Sequence, residues 1–138
     1  RFRVAALRPP RPAAPAGSPR RPRRGQDASV PWLLRDDKVL ASLDVADSPR
    51  LRARGLLGRD GIEGALLLTP ARAVHTFGMR FAIDVAYCDS YLVVIRTVRM
   101  APHRLGRPCW HARSVVEAEA GAFDQWGIEP GVQLEVRQ

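Results

Sequence analysis

Six polar residues of this 138-residue chain stand beside apolar positions and could take part in chemistry. Arginines in such a set could hold a small anionic ligand at the mouth of a β-barrel, and a histidine could accept a proton. The same residues could instead form partly buried ion pairs that fix a helix on a sheet, because a buried charge requires a partner. Both interpretations stay open at this point. The candidate residues are Arg54, His75, Thr76, Arg80, Asp84 and Glu117.

Arg54 is the residue on which the two interpretations differ most clearly. It lies between Leu51 and Leu56 on a predicted helix, so we expect its stem to be covered while the guanidinium reaches a carboxylate. We predict that this carboxylate is Asp84 or Glu117. Breaking such a buried pair would cost about 3 kcal/mol or more, whereas loss of Arg54 from a wet pocket would cost about 1 kcal/mol or less.

Catalysis would depend on His75, because it is the one member of the set that can serve as a general base. We assign no catalytic residue. Cys109 and His111 lie in a predicted loop, where a nucleophile–base pair would have no third group to orient it. Adding His103 gives three possible zinc ligands without a fourth ligand or a recognisable spacing, so we predict no metal site.

Glycines recur every third residue from Gly55 to Gly64. This stretch is typical of a helix end followed by a turn, and it lacks the strand-to-helix arrangement with which glycine-rich loops hold phosphates. We therefore predict no nucleotide cofactor.

Short strands are the elements expected to position these residues. A hairpin is predicted around Asp36-Asp37, and a helix is predicted to begin at Ser48-Pro49 and to end near Gly58 or Gly61. The alternation and β-branched content of the remaining segments favour strands. The predicted strands cover residues 30–34, 38–45, 64–68, 83–88, 91–98, 114–118 and 132–136.

About seven short strands and one helix predict a mainly β (α+β) fold, a compact antiparallel barrel or sandwich with the helix covering one opening. The connections are too short for repeated βαβ units. Residues 27–138 are expected to form this single domain, because a chain of this length supports one core.

Residues 1–26 differ sharply in composition from the rest of the chain. They contain eight arginines, six prolines and no acidic residue, so we predict a disordered tail. Eight of the 22 basic residues thus lie in the tail, and the remaining 14 equal the 14 acidic residues in number. A solvated tail is the expected state, and any non-specific contact with polyanions is expected through the tail only.

Compartment and membrane association follow from apolar runs and cysteines. The apolar runs are far shorter than a membrane span or a secretory signal needs, so we predict a cytoplasmic protein without a span. Cys88 and Cys109 are expected to be free thiols, although a single disulfide between them stays possible.

Six short motifs follow one another along residues 54–131 of the chain. They are Arg-Gly-Leu-Leu (54–57), Gly-Ala-Leu-Leu-Leu (64–68), His-Thr-Phe-Gly-Met (75–79), Ile-Asp-Val (83–85), Val-Glu (116–117) and Gly-Ile-Glu-Pro-Gly (127–131). In order and spacing they resemble the domain-of-unknown-function 192 family over about residues 38–136. The Phe-Gly-Met of the third motif resembles the high-GC bacterial branch of that family, where it replaces the commoner Phe-Trp-Met. The resemblance implies a small β-barrel-like or sandwich domain with a helix, and it implies no activity.

Taken together, the sequence predicts a non-enzymatic binding or interaction module whose partner is an unidentified small ligand or protein. The alternative is a small enzyme of hydrolase or isomerase type with His75 as general base. An exposed His75 in a concave pocket, hydrogen-bonded to a carboxylate, would favour the enzyme. Burial of its ring against Phe77 or Trp126 would favour the binding module.

Overall fold

A computed structural model describes residues 30–138, together with the backbone of Arg3 and Val4. Apart from those two residues, the predicted tail lies outside the described residues, and its disorder stays a prediction. The described part contains eight strands and two short helices. They are β1 (Arg3–Val4), β2 (Trp32–Arg35), β3 (Lys38–Ala46), α1 (Pro49–Arg54), β4 (Ala65–Leu68), β5 (Ile83–Cys88), β6 (Val94–Met100), β7 (Ser114–Glu119), α2 (Ala122–Trp126) and β8 (Glu135–Arg137).

The strands form one sheet in the order β6-β5-β7-β4-β1-β3-β2-β8, in which β4 also pairs with β3. All pairings are antiparallel except that of β3 with β4, which run parallel, so the sheet is mixed where we expected a purely antiparallel one. A bridge between Val93 and Gln133 brings the segment before β8 to the start of β6. The two edges of the sheet, β6 and β8, approach each other at this corner, but the sheet does not close into a barrel. The predicted mainly β fold is confirmed.

Turn chemistry explains the two hairpins. Asp36 and Asp37 between β2 and β3 both have positive φ, 50° and 60°, which suits the tight turn that matches strand twist and confirms the predicted hairpin. Between β5 and β6, Oδ1 of Asp89 accepts hydrogen bonds from the backbone N–H groups of Tyr91 (2.8 Å) and Val93 (3.0 Å). This bonding extends the turn, so β6 begins three residues later than predicted.

Helix α1 begins as predicted, because Oγ of Ser48 accepts a hydrogen bond from the backbone N–H of Leu51 (3.2 Å). It ends at Arg54, where Gly55 leaves the helical region with φ 44°. None of its residues is buried, so it does not cover an opening of the sheet as we expected. Leu56 instead enters the core after the helix has ended.

The core lies on both faces of the central strands. All residues of β4 and β5 are buried, as are five of the six in β7, so these strands lack the polar face of a half-solvated sheet. Polar side chains on these strands are therefore enclosed by apolar neighbours. The buried polar residues among those described are Thr76, Asp84, Ser114 and Glu117.

Candidate functional site

The six candidate residues do not converge on one site. Asp84 of β5 lies opposite Ala118 of β7, while Glu117 lies opposite Val85. Because successive side chains of a strand point to opposite faces, Asp84 and Glu117 lie on opposite sides of the sheet. A single pocket cannot use both carboxylates.

Asp84 is a buried anchor for helix α2. Its side chain is 6% exposed, and Oδ1 accepts a hydrogen bond from Nε of Arg99 (2.9 Å) on β6. Oδ2 accepts hydrogen bonds from the backbone N–H groups of Gly121 (2.9 Å) and Phe123 (3.2 Å). A charge-assisted bond of this kind satisfies the otherwise unpaired donors at a helix start. Asp84 therefore holds α2 on the sheet.

The predicted pairing of Arg54 with Asp84 or Glu117 is wrong. Arg54 is exposed at the last turn of α1, and its guanidinium makes no ion pair with any residue of the described range 30–138. The physical reason is that α1 buries none of its residues, so the side chain does not reach the sheet. Arg80 is also exposed, and its Nη1 lies 2.8 Å from Oδ1 of Asp60.

Thr76 is fully buried and fastens the loop that follows β6. Its Oγ1 donates a hydrogen bond to the carbonyl of Ala101 (2.6 Å) and accepts one from the backbone N–H of Arg104 (2.8 Å). Its backbone N–H donates to the carbonyl of Arg104 (2.8 Å), and its carbonyl accepts from the N–H of His103 (2.8 Å). Thr76 thus fixes the path of residues 101–104 from both backbone and side chain.

His75 is exposed and stacks on Phe77, with ring centroids 5.4 Å apart and planes 27° from parallel. Within residues 30–138 its imidazole has no carboxylate hydrogen-bond partner. The orienting group that the enzyme alternative requires is therefore missing from the described structure.

A groove of about 600 Å³ lies between β6 and the loop 101–107. Of the described residues that line this groove, four are arginines and none is acidic. We call it the arginine groove. Its lining residues are Arg96, Thr97, Val98, Arg99, Met100, Ala101, Arg104, Leu105, Gly106 and Arg107.

The four arginines differ in how they are held. The guanidinium of Arg96 lies 4.4 Å from the ring centroid of Tyr87 and donates to the carbonyl of Arg107. Arg99 pairs with Asp84 and, at 3.4 Å, with Asp124. Within the described range, the side chains of Arg96, Arg104 and Arg107 have no carboxylate partner. Three positive charges therefore face the groove without a counter-charge.

Gly106 lies in the wall of the groove opposite β6, at a position where a side chain would not fit. Its N–H donates to the carbonyl of Val74 (2.8 Å), and a Cβ at this position would lie only 2.6 Å from that oxygen. A Cβ would also lie 3.1 Å from the hydroxyl of Tyr87. The wall is consequently held close to the buried strand β5.

Comparisons with known proteins identify the domain. A family model described as Uncharacterized ACR matches residues 33–136. The chain belongs to the DUF192 family. A search of curated proteins found no match. A solved structure of a protein of unknown function from Novosphingobium aromaticivorans is similar in fold, with a TM-score of 0.57 and 18% identity over 64% of this chain and 69% of that one.

Charge in this DUF192 domain is segregated along the sequence, and this signal could have revealed the groove. Residues 70–82 and 90–116 contain seven arginines, all three histidines of the chain and no acidic residue. These two segments supply both walls of the groove, and they include Val74 and Thr76, whose backbone hydrogen bonds hold the loop 101–107. The formal charge of residues 27–138 sums to zero, so the total conceals this uneven distribution.

Metal and membrane features are absent from the described part of the DUF192 domain. Among its residues there is no group of three or more histidines, cysteines, aspartates or glutamates placed to hold a metal ion. None of the helices in the described residues is long and apolar enough to cross a membrane. Cys88 and Cys109 are both buried as free thiols.

Proposed function

We propose that this domain is a non-enzymatic binding module that takes a small anionic ligand, bearing phosphate or carboxylate groups, in the arginine groove. The observation that carries the proposal is the set of three groove arginines without a carboxylate partner in residues 30–138. Guanidinium groups donate paired hydrogen bonds that match the oxygens of phosphates and carboxylates. An anion in the groove would supply the counter-charge that the described residues do not.

The groove is also partly organised before any ligand arrives. Arg96 is fixed by the Tyr87 ring and by the carbonyl of Arg107, and Arg99 is fixed by Asp84. Thr76 fixes the loop that carries Arg104. Donors that are already ordered lose less conformational entropy on binding, so this arrangement favours affinity.

The size of the groove favours a small molecule as the ligand. Its volume of about 600 Å³ falls within the range of roughly 300–1,000 Å³ that is usual for small-molecule sites. Its mixed lining supports the same conclusion, since Val98, Met100 and Leu105 give apolar contact beside the arginines.

Binding of inorganic tripolyphosphate to the full chain tests this proposal. At low salt we expect the melting temperature to rise with probe concentration, because a ligand of the native state stabilises it by mass action. Amide resonances of residues 96–107 are expected to shift on titration in ¹⁵N NMR spectra. Shifts confined to residues 1–26 would overturn the proposal, since the arginine-rich tail would then be the binding segment.

Two double variants with the same change in net charge distinguish binding in the groove from a general effect of charge. Arg104→Gln/Arg107→Gln is expected to remove most of the stabilisation by tripolyphosphate. Arg50→Gln/Arg59→Gln removes the same charge from exposed positions that do not line the groove, so it is expected to bind as the wild type does. Equal losses in both double variants would contradict a groove-specific site.

A further inference from the structure

An exposed apolar surface adjoins the arginine groove. Leu105 lines the groove, is 76% exposed, and forms a β-bridge with His75. His75 stacks on Phe77, which is 50% exposed. We call His75, Phe77 and Leu105 the stacking patch. Leu105 belongs both to this patch and to the lining of the groove.

The stacking patch is held in place by its neighbours. The backbone N–H of Gly78 donates to Nδ1 of His103 (3.2 Å), which ties the turn after Phe77 to the loop 101–107. Gly78 has φ 76°, and a Cβ there would lie 3.1 Å from Leu57, itself 39% exposed. The patch and the groove wall are therefore fixed to each other through the bridge between His75 and Leu105 and the bond between Gly78 and His103.

We propose that the groove and the stacking patch together bind a nucleoside phosphate, with its phosphates at Arg104 and Arg107 and its base on the Phe77–His75 pair. This inference rests on the proposed function, because it assigns the ligand class of the same groove. Exposed aromatic rings beside arginines are the combination with which proteins bind nucleotides and single strands, the rings stacking on bases and the arginines neutralising phosphates. A purely ionic ligand would leave the exposed rings and Leu105 without a contact.

Comparing ATP with inorganic tripolyphosphate isolates the contribution of the nucleoside. Both probes present a triphosphate, so the difference in affinity reports the base and the sugar. Stacking of one base is worth about 1–3 kcal/mol, so we expect ATP to bind the full chain roughly five- to 150-fold more tightly by calorimetry. Equal affinities would overturn the inference.

Variants of Phe77 test the stacking directly. Phe77→Ala is expected to lower ATP affinity to that of tripolyphosphate and to leave tripolyphosphate binding unchanged, while Phe77→Tyr retains a ring and the preference for ATP. Tyr91→Ala is the matched control, because Tyr91 is 75% exposed in the turn before β6 and does not line the groove. Loss of the preference in Tyr91→Ala, or its survival in Phe77→Ala, would contradict the assignment.

The two proposals fail in distinguishable ways. If tripolyphosphate does not bind through Arg104 and Arg107, the anion-binding function and the nucleoside inference are both wrong. If it binds through them but ATP gains nothing, the inference alone is wrong. If ATP does bind more tightly than tripolyphosphate, a comparison of uridine monophosphate with a ten-residue oligouridylate distinguishes a free nucleotide from a nucleic-acid strand as the ligand. Phe77-dependent binding of either one supports the inference, and tighter binding of the oligomer assigns the groove to single strands.

Discussion

Two clusters of charge in this domain have opposite arrangements. Around Asp84, both oxygens of a buried carboxylate are occupied by Arg99 and by two backbone donors of the α2 start. In the arginine groove, Arg104 and Arg107 are exposed and have no carboxylate partner within residues 30–138. Satisfied buried charge stabilises architecture, whereas exposed charge of one sign is available to a ligand.

Arg99 connects the two clusters, because it pairs with Asp84 and also lines the groove. Its side chain is 54% exposed, whereas that of Asp84 is only 6% exposed. The burial difference means that water can replace Asp84 as a partner of Arg99. It cannot equally replace Asp84 as a partner of Phe123, whose N–H is buried.

Asp84→Ala is expected to give the largest loss of stability. The substitution leaves the N–H groups of Gly121 and Phe123 without their acceptor, which costs about 2–4 kcal/mol for two bonds to a charged group near a helix start. In a domain of this size, that loss lowers the melting temperature by about 10 °C or more. Chemical denaturation of the full chain measures it.

Two control variants test whether Asp84 stabilises the domain mainly through its bonds to the start of α2 or through its ion pair with Arg99. Arg99→Gln removes the ion pair but leaves the anchor, so it is expected to destabilise the domain less than Asp84→Ala. Arg104→Gln/Arg107→Gln alters the other cluster and is expected to leave the free energy of unfolding unchanged within about 0.5 kcal/mol. If Arg99→Gln proved as damaging as Asp84→Ala, the ion pair would be the dominant contact.

Thr76→Val is expected to destabilise the domain less than Asp84→Ala does. It is also expected to weaken ligand binding. Valine keeps the shape but removes the acceptor of the Arg104 N–H and the donor to the carbonyl of Ala101. Unpaired buried groups of this kind cost about 1–3 kcal/mol in total. Tripolyphosphate affinity is expected to fall as well, because Arg104 is no longer held in the groove wall.

Thr76→Ser distinguishes the hydroxyl from the rest of the side chain. Serine restores both hydrogen bonds, so it is expected to recover tripolyphosphate affinity and most of the stability. A Thr76→Val variant that lost stability but bound tripolyphosphate normally would show that Thr76 supports the fold without positioning the groove.

Local sequence signals predicted the local structure well. Ser48 followed by Pro49 marked the start of α1, and Asp36-Asp37 marked a tight hairpin turn. Each of these features depends on a few adjacent residues, whose capping and turn preferences are physical properties of those residues. Such signals do not depend on which distant strand becomes a neighbour.

Long-range relations were harder to predict. The wrong partner for Arg54 and the grouping of Asp84 with Glu117 both assumed a tertiary arrangement that no local pattern determines. A shift of one residue in strand register places a side chain on the other face, and the register of β5 with β7 separates these two carboxylates. Asp84 instead faces Arg99, its partner across β5 and β6.

Alkaline pH is expected to weaken the domain, because strand β5 contains buried groups in their neutral form. Tyr87 and Cys88 of β5 are fully buried. Burial raises the pKa of the Cys88 thiol from 9.0 to about 12, with smaller contributions from Asp89 and Cys109, and burial also raises the pKa of Tyr87. These positions favour the uncharged form.

The sign of the effect follows from which state binds protons more tightly. In the unfolded chain Cys88 ionises near pH 9, whereas the folded protein retains its proton to about pH 12, so stability is lost across that window as pH rises. At pH 10 this one group lowers the free energy of unfolding by about 1 kcal/mol. Urea denaturation at pH 7.5 and pH 10 measures the loss, which is expected to be smaller in Cys88→Ala and unchanged in Tyr91→Phe, an exposed tyrosine. An identical loss in Cys88→Ala and the wild type would show that Cys88 is not the source of the alkaline sensitivity.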